Sequence, residues 1–249
     1  MLQSIFAAER DFFMPPVAPL MVLAFLGAAG ATLLALLAAL GAALARRSTL
    51  AWSFGAGSVL IAAAYLGALL VFSAWSSERL LQAGDEKYFC EADCHIAYSL
   101  ESLRVARILG PAGRTAEAAG EFHVVTLKAW FDERSISPHR GNQPLTPNPR
   151  EVFAVDGSGR RYVPSAAAAR ALAAAGISLT PLDRPLVPGE SYTTTLAFDV
   201  PLDARGLRLL VADTEAFTRF LIGHENSFLH KKIYFDLSGN ATDSPSEGR

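Results

Sequence analysis

The chain has 249 residues, 51% of them hydrophobic, with 22 Lys and Arg against 24 Asp and Glu and a formal net charge of −2. A near-neutral chain with no evident basic face excludes the electrostatic footprint of a nucleic-acid-binding protein. The composition is also split: the first third is almost purely apolar, and most of the charge and proline lies in the remainder, whose length of about 160–170 residues suffices for one ordinary soluble domain.

Residues 1–16 form a short segment in which Glu9 and Asp11 flank Arg10. From Val17 to Trp75 the only charges are Arg46 and Arg47. About 20 apolar residues span a hydrocarbon core as a helix. Two such runs, 17–45 and 50–75, are expected to form a transmembrane helical hairpin, since neither shows the alternation of a barrel strand. The first run is too long for the h-region of a signal peptide and lacks a basic flank, so no cleavage is expected. Arg46 and Arg47 place the 46–49 loop in the cytoplasm, which puts both chain ends on the extracytoplasmic side of a bacterial inner membrane. Trp52 and Trp75 fit interfacial anchors. Gly27, Ala31, Gly41, Ala45, Gly55, Gly57 and Gly67 are small enough for close helix contact, read here as packing of the two helices on each other rather than as a surface for a membrane partner.

After a polar linker, 76–86, the pattern changes to short apolar alternations broken by turn signals. In HVVTLKAWF, residues His123, Val125, Leu127, Ala129 and Phe131 share one face of a strand. The run EVFAVDGSGRRYVPS reads as a hairpin turning at Asp156–Gly159. In SYTTTLAFDV the residues Tyr192, Thr194, Leu196, Phe198 and Val200 alternate with the rest. LRLLV and KIYFDL supply two further strands, with Ile233, Phe235 and Leu237 facing the core. One helix interrupts the β pattern: Ser165 is its N-cap, Gly176 its stop, and alanines fill its interior. A polar tail, 238–249, has the composition of a disordered segment. Many short strands with Gly and Pro turns predict an antiparallel sandwich over 87–237. The expected fold class is therefore α+β: two transmembrane helices followed by an all-β sandwich with one inserted helix.

Three stretches carry a family resemblance: Asp156, Gly159 and Tyr162 in the hairpin, Pro188-Gly189-Glu190-Ser191, and Phe198-Asp199-Val200-Pro201. From Lys87 to Leu237 the chain resembles the telokin-like, immunoglobulin-like extracellular domains of bacterial lipoproteins and membrane proteins of unknown function. The resemblance implies an immunoglobulin-like fold. These motifs are turn and strand chemistry and imply little about activity. The chain departs from the family pattern in having a helical hairpin in place of a lipid anchor, and a Cys/His cluster at the domain's entry.

That cluster, YFCEADCHIAY, is the one stretch suited to chemistry. It sets Cys90, Glu91, Asp93, Cys94 and His95 within six positions, and it allows three readings. The first is a structural disulfide, Cys90–Cys94, suited to an oxidising compartment. On a regular strand the two Cα atoms would stand ~13 Å apart, so a bridge requires the chain to curl there. The second is a copper or zinc site of Cys90, Cys94 and His95, completed by His224 and His230. C-x-x-x-C resembles the copper motifs of cytochrome oxidase subunit II and of Sco-type copper chaperones, although here the motif comes early, His95 follows at once, and no thioredoxin-like βαβ pattern is present. The third is a thiol pair in redox exchange. His123 and His139 read as packed and solvated residues, respectively.

The sequence shows no nucleophile elbow, phosphate-binding loop, H-E-x-x-H or paired carboxylates. The expected function is thus a membrane-anchored extracytoplasmic binding or assembly module without catalytic activity or cofactor. Its partners would be the bilayer and another membrane or envelope protein. The alternative is a copper- or thiol-handling accessory of a respiratory or envelope complex.

Overall fold

The computed structural model describes residues 18–89, 95–136 and 139–238. They divide into two compact units: the N-terminal helices together with Ala216–Lys231, and the segments from Glu78 to Glu215 and from Lys232 onward.

The first unit is built on helices α1 (Ala18–Leu44) and α2 (Ser48–Trp75). Pro19 sits in the first turn of α1, where its missing N–H breaks no helical bond. At the other end the Arg46 N–H donates to Ala43 O (2.9 Å) and the Arg47 N–H to Ala42 O (2.8 Å). This closure needs a left-handed residue, and Arg46 supplies it at φ 58°. The break between helices is therefore shorter than the expected 46–49 loop. Half-buried or buried residues recur at alternating spacings of three and four: Phe25, Ala28, Thr32, Ala35, Ala39 and Ala42 on α1, and Ala51, Gly55, Ser58, Ala62, Tyr65 and Leu69 on α2. That spacing is the seam of two helices packed side by side.

Most glycines expected to draw the helices together do not do so. A Cβ built at Gly27, Gly41, Gly55, Gly57 or Gly67 would meet no atom within 4 Å. The seam rests mainly on alanines, which already permit close approach. Leucines point outward instead, with Leu34 69% and Leu60 70% exposed. Both helices are long and apolar enough to cross a membrane, and 0% and 11% of their most apolar windows are buried.

The second unit holds two sheets. One has the order β1-β9-β8-β5-β6, from Arg79–Leu81, Ile233–Asp236, Arg208–Asp213, Arg150–Val155 and Arg161–Tyr162. The other has the order β2-β3-β4-β7, from Glu86–Phe89, Ile96–Leu109, Ala116–Phe131 and Ser191–Val200. One core joins them: Tyr98, Val125, Leu127, Phe131 and Phe198 from the second sheet meet Val152, Leu209, Val211 and Phe235 from the first. The expected odd-numbered face of β4 and even-numbered face of β7 supply this core.

The opposite face of the second sheet is also covered. Helix α3 (Ala166–Ala174) lays Ala168, Ala171 and Leu172 against Phe122, Val124 and Ala197. Ser165 Oγ accepts from the Ala168 N–H at 3.3 Å, as its cap role requires. Gly176 lies at φ 76°, and the Gly176 and Ile177 N–H groups return to Ala173 and Leu172 carbonyls at 3.0 Å each. This is a complete Schellman closure. At Gly120 a Cβ would stand 2.0 Å from Val200 O, so only glycine fits where β4 passes β7.

Two expected boundaries need correction. The linker 76–86 contains β1, which pairs in parallel with β9 through Leu80 opposite Tyr234, so the sheets are not purely antiparallel. Three residues are too short to show alternation, which hid the strand. Ala216–Lys231, assigned by sequence to the β domain, groups with the helices. It has no period-2 pattern of its own and carries only a 3-10 turn, Ala216–Phe220.

Candidate functional site

Cys90 and Cys94, with Glu91 and Asp93, lie outside the described residues. Phe89 ends β2 and Ile96 begins β3, and the two are ladder partners.

On the Ile96 side, His95 is buried, its ring stacked on Phe131 with centroids 5.7 Å apart and planes 10° from parallel. Its Nδ1 lies 2.6 Å from Ser135 Oγ. The Ser135 hydroxyl donates its one proton to Asp132 O at 2.7 Å. With that hydroxyl proton on Asp132 O, the imidazole donates from Nδ1. The Asp132 N–H in turn donates to His95 O (2.8 Å), tying the histidine's backbone to the same turn.

Asp132 organises that turn. Its carboxylate accepts from the Arg134 N–H, from Arg134 Nε at 2.9 Å and from Arg134 Nη2 at 3.2 Å. The Tyr88 hydroxyl lies 2.8 Å from both the Asp132 and Glu86 carboxylates. Burial opposes the Asp132 charge, but the bonds from Arg134 and Tyr88 outweigh it and hold the carboxyl below its ordinary range. Burial first, then the two carboxylates, pushes the Tyr88 phenol up.

On the Phe89 side, the core contains charge. Lys87 is 3% exposed and donates from Nζ to Val211 O (2.7 Å) and Ile233 O (2.9 Å). The Phe89 ring has Lys87 Nζ at 5.0 Å and the Arg150 guanidinium carbon at 4.3 Å from its centroid. Arg150 pairs with Asp213 at 3.2 Å, both side chains fully buried, from directly opposed positions on β5 and β8. Sequence reading missed this group, although a signal exists. Lys87, Arg150 and Asp213 each stand two residues from a core residue of the same strand face: Phe89, Val152 and Val211.

His224 and His230 belong to the helical unit. His224 Nδ1 accepts from the Asn226 N–H at 3.0 Å, and His230 Nδ1 contacts Lys231 O at 2.7 Å. Among the described residues no three His, Cys, Asp or Glu side chains cluster as metal ligands do. His123 is partly buried, and desolvation, partly offset by Glu121, pulls its pKa down. Asp156 shapes the β5–β6 turn, accepting from Ser158 N–H (2.9 Å), Ser158 Oγ (2.6 Å), Arg160 N–H (3.0 Å) and Tyr162 Oη (2.8 Å). Those bonds bring its carboxyl to about 2.

No protein-family model matches the chain, and no curated protein matches it. Solved structures similar to it include a conserved hypothetical protein from Bacillus anthracis, at 14% identity over 52% of this chain and 89% of that one, with a TM-score of 0.38. The secreted protein MPT63 from Mycobacterium tuberculosis matches at 14% identity over 66% of this chain and 99% of its own, with a TM-score of 0.39. The yjhA protein from Bacillus subtilis matches at 14% identity over 63% and 100%, with a TM-score of 0.40. Likeness at this level carries no argument about what the chain does.

Proposed function

We propose that the chain is a membrane-anchored module of a bacterial envelope. In this reading α1 and α2 span the inner membrane with Arg46 and Arg47 in the cytoplasm, and an immunoglobulin-like β unit outside binds or assembles with another envelope protein without performing catalysis. The observation that carries it is the inverted burial of the two units. The helices turn their leucines outward, while the β unit buries Tyr98, Phe131, Phe198 and Phe235 completely. Leucine-rich exterior on paired helices suits lipid, and aromatic interior suits water outside. Within the β unit, Lys87, Arg150, Asp156 and Asp213 each hold strands or turns together. In the same reading a Cys90–Cys94 bridge closes the β2–β3 hairpin as a local staple.

Protease digestion of intact spheroplasts tests the topology: the β unit should be degraded while the helices survive. Protection of everything after Trp75 would overturn the reading. Mass spectrometry of the non-reduced chain should show the bridge stoichiometrically.

A second reading has its own support: the orientation of His95. Its Nδ1 is held by Ser135, and in this reading Nε2 would be the ligating nitrogen, since a hydrogen bond to the other ring nitrogen is how proteins orient a metal-bound histidine. Copper or thiol handling by Cys90, Cys94 and His95 follows if the reduced full chain binds copper at one equivalent and loses it in the His95→Ala variant. A quantitative bridge with no bound metal removes it.

A further inference from the structure

We infer that Ala216–Lys231 is a third membrane element, a loop that enters the outer leaflet beside the helical hairpin and contacts acyl chains. The inference rests on reading α1 and α2 as membrane-spanning.

Its first support is depth. The Tyr65 hydroxyl donates to Phe220 O at 2.7 Å, and the Phe220 ring stacks on Phe25 with centroids 6.4 Å apart. Tyr65 lies ten residues before the end of α2 at Trp75, and Phe25 seven after the start of α1 at Ala18. At ~1.5 Å per residue these are about 15 Å and about 10 Å from the extracytoplasmic helix ends. Helices of 27 and 28 residues are ~40 Å long, roughly 10 Å more than the ~30 Å hydrocarbon core. Even if all that excess stood on the outer side, Phe220 would lie at or beneath the hydrocarbon boundary.

The second support is polarity. Within this segment four polar side chains, Thr218, His224, Glu225 and Ser227, are 0%, 3%, 9% and 4% exposed, alongside Leu221 and Ile222 at 2% and 7%. Phe217, Phe220, Phe228 and Leu229 are 46%, 40%, 47% and 71% exposed. A water-facing loop has the opposite arrangement.

The third is a run of hydrogen bonds made within the segment, of the kind lipid demands. Leu221, His224, Ser227 and His230 N–H groups donate to Thr218, Leu221, His224 and Ser227 carbonyls in successive turns. Asn226 Nδ2 donates to Thr218 Oγ1 at 2.9 Å, and Ser227 Oγ donates to Leu221 O. Arg219 and Lys231 are exposed and long enough to reach headgroups. Phe220 also walls an apolar cavity of about 310 Å³ together with Phe25, Ala28, Leu33, Ala62 and Leu66, which suits an acyl chain.

The test uses the full chain in nanodiscs of phosphatidylethanolamine and phosphatidylglycerol, doped with a phospholipid carrying a diazirine on its acyl chain. After illumination, adducts are mapped by mass spectrometry. The tryptic peptide Phe220–Lys231 should carry several-fold more adduct than Glu151–Arg160 from the β unit, alongside adducts on α1 and α2. Labelling of the peptide should fall several-fold in the F228S/L229S variant, with labelling of the helices unchanged. Adducts on the helices with none on Phe220–Lys231 would overturn the inference and leave the anchor standing; that result would favour a protein partner for the loop. Absence of adducts from the helices as well would overturn the anchor and the inference together.

Discussion

The two units dispose the same apolar residue types in opposite ways. In the helical unit, Leu33, Leu34 and Leu37 are each more than half exposed, and alanine is the commonest seam residue. In the β unit, Leu100, Leu127, Leu186 and Leu209 are each no more than 2% exposed and sit among aromatic rings. The lesson is that hydrophobicity alone does not say where a leucine goes. Neighbouring side chains and the length of the run decide whether it faces a core or the outside of its unit.

Substitutions sharpen this contrast, beginning with the largest effect. Phe198→Ala removes a fully buried ring from the joint between sheets and should cost about 3–5 kcal/mol, melting the β unit in a calorimetric scan. Leu34→Ala, on a residue 69% exposed in α1, should leave that transition within about 0.5 kcal/mol. Equal sensitivity at the two sites would break the comparison. Next, Arg150→Met removes the cation paired with Asp213 in the core and should cost about 3 kcal/mol by chemical denaturation. The R150M/D213L pair should recover most of that, because both members of the ion pair are then replaced by apolar side chains while Lys87 keeps its carbonyl partners. Failure of the double variant to recover would mean that the pair fixes strand register rather than merely compensating charge.

Smaller effects come from the ends of α3. Gly176→Ala places a Cβ at φ 76° and should cost about 1–2 kcal/mol. Ser165→Ala loses the cap for about 1 kcal/mol. Both should appear in the β-unit transition and leave helical signal from α1 and α2 untouched.

The smallest effects are in pH. Asp156 has a folded pKa of about 2 against an ordinary 3.8, so the unfolded chain takes up its proton first as pH falls. Its contribution is complete above pH ~4 and is lost between pH ~4 and ~2, and Asp156→Asn should flatten stability in that window. His123 is also depressed, so stability should fall as pH drops below its ordinary 6.5. His123→Leu should remove that slope. A rise in stability on acidification would contradict its burial.

Much of this architecture was legible from residue order. The cap at Ser165, the stop at Gly176, the Asp156 turn and the faces of β4 and β7 all follow from local chemistry. The two long apolar runs also appear as helices, with ends shifted by a few residues where Arg46 closes α1. The site was less legible. His95 stood out as a candidate, but its partners Asp132 and Ser135 are about 40 residues away and reach it only because β3 and β4 pair. Lys87, Arg150 and Asp213 looked like ordinary strand charges, since burial depends on which strands lie opposite.

What residue order determined by itself is the set of short-range features, because helix periodicity, capping and turn preference involve atoms only a few residues apart. The tertiary structure alone decided the parallel β1–β9 pairing, the alanine seam chosen over the glycines, the Arg150–Asp213 pair within the core and the grouping of Ala216–Lys231 with the helices. Each of those joins residues distant along the chain. Their energy comes from burial and hydrogen bonding that exist only once the elements have met.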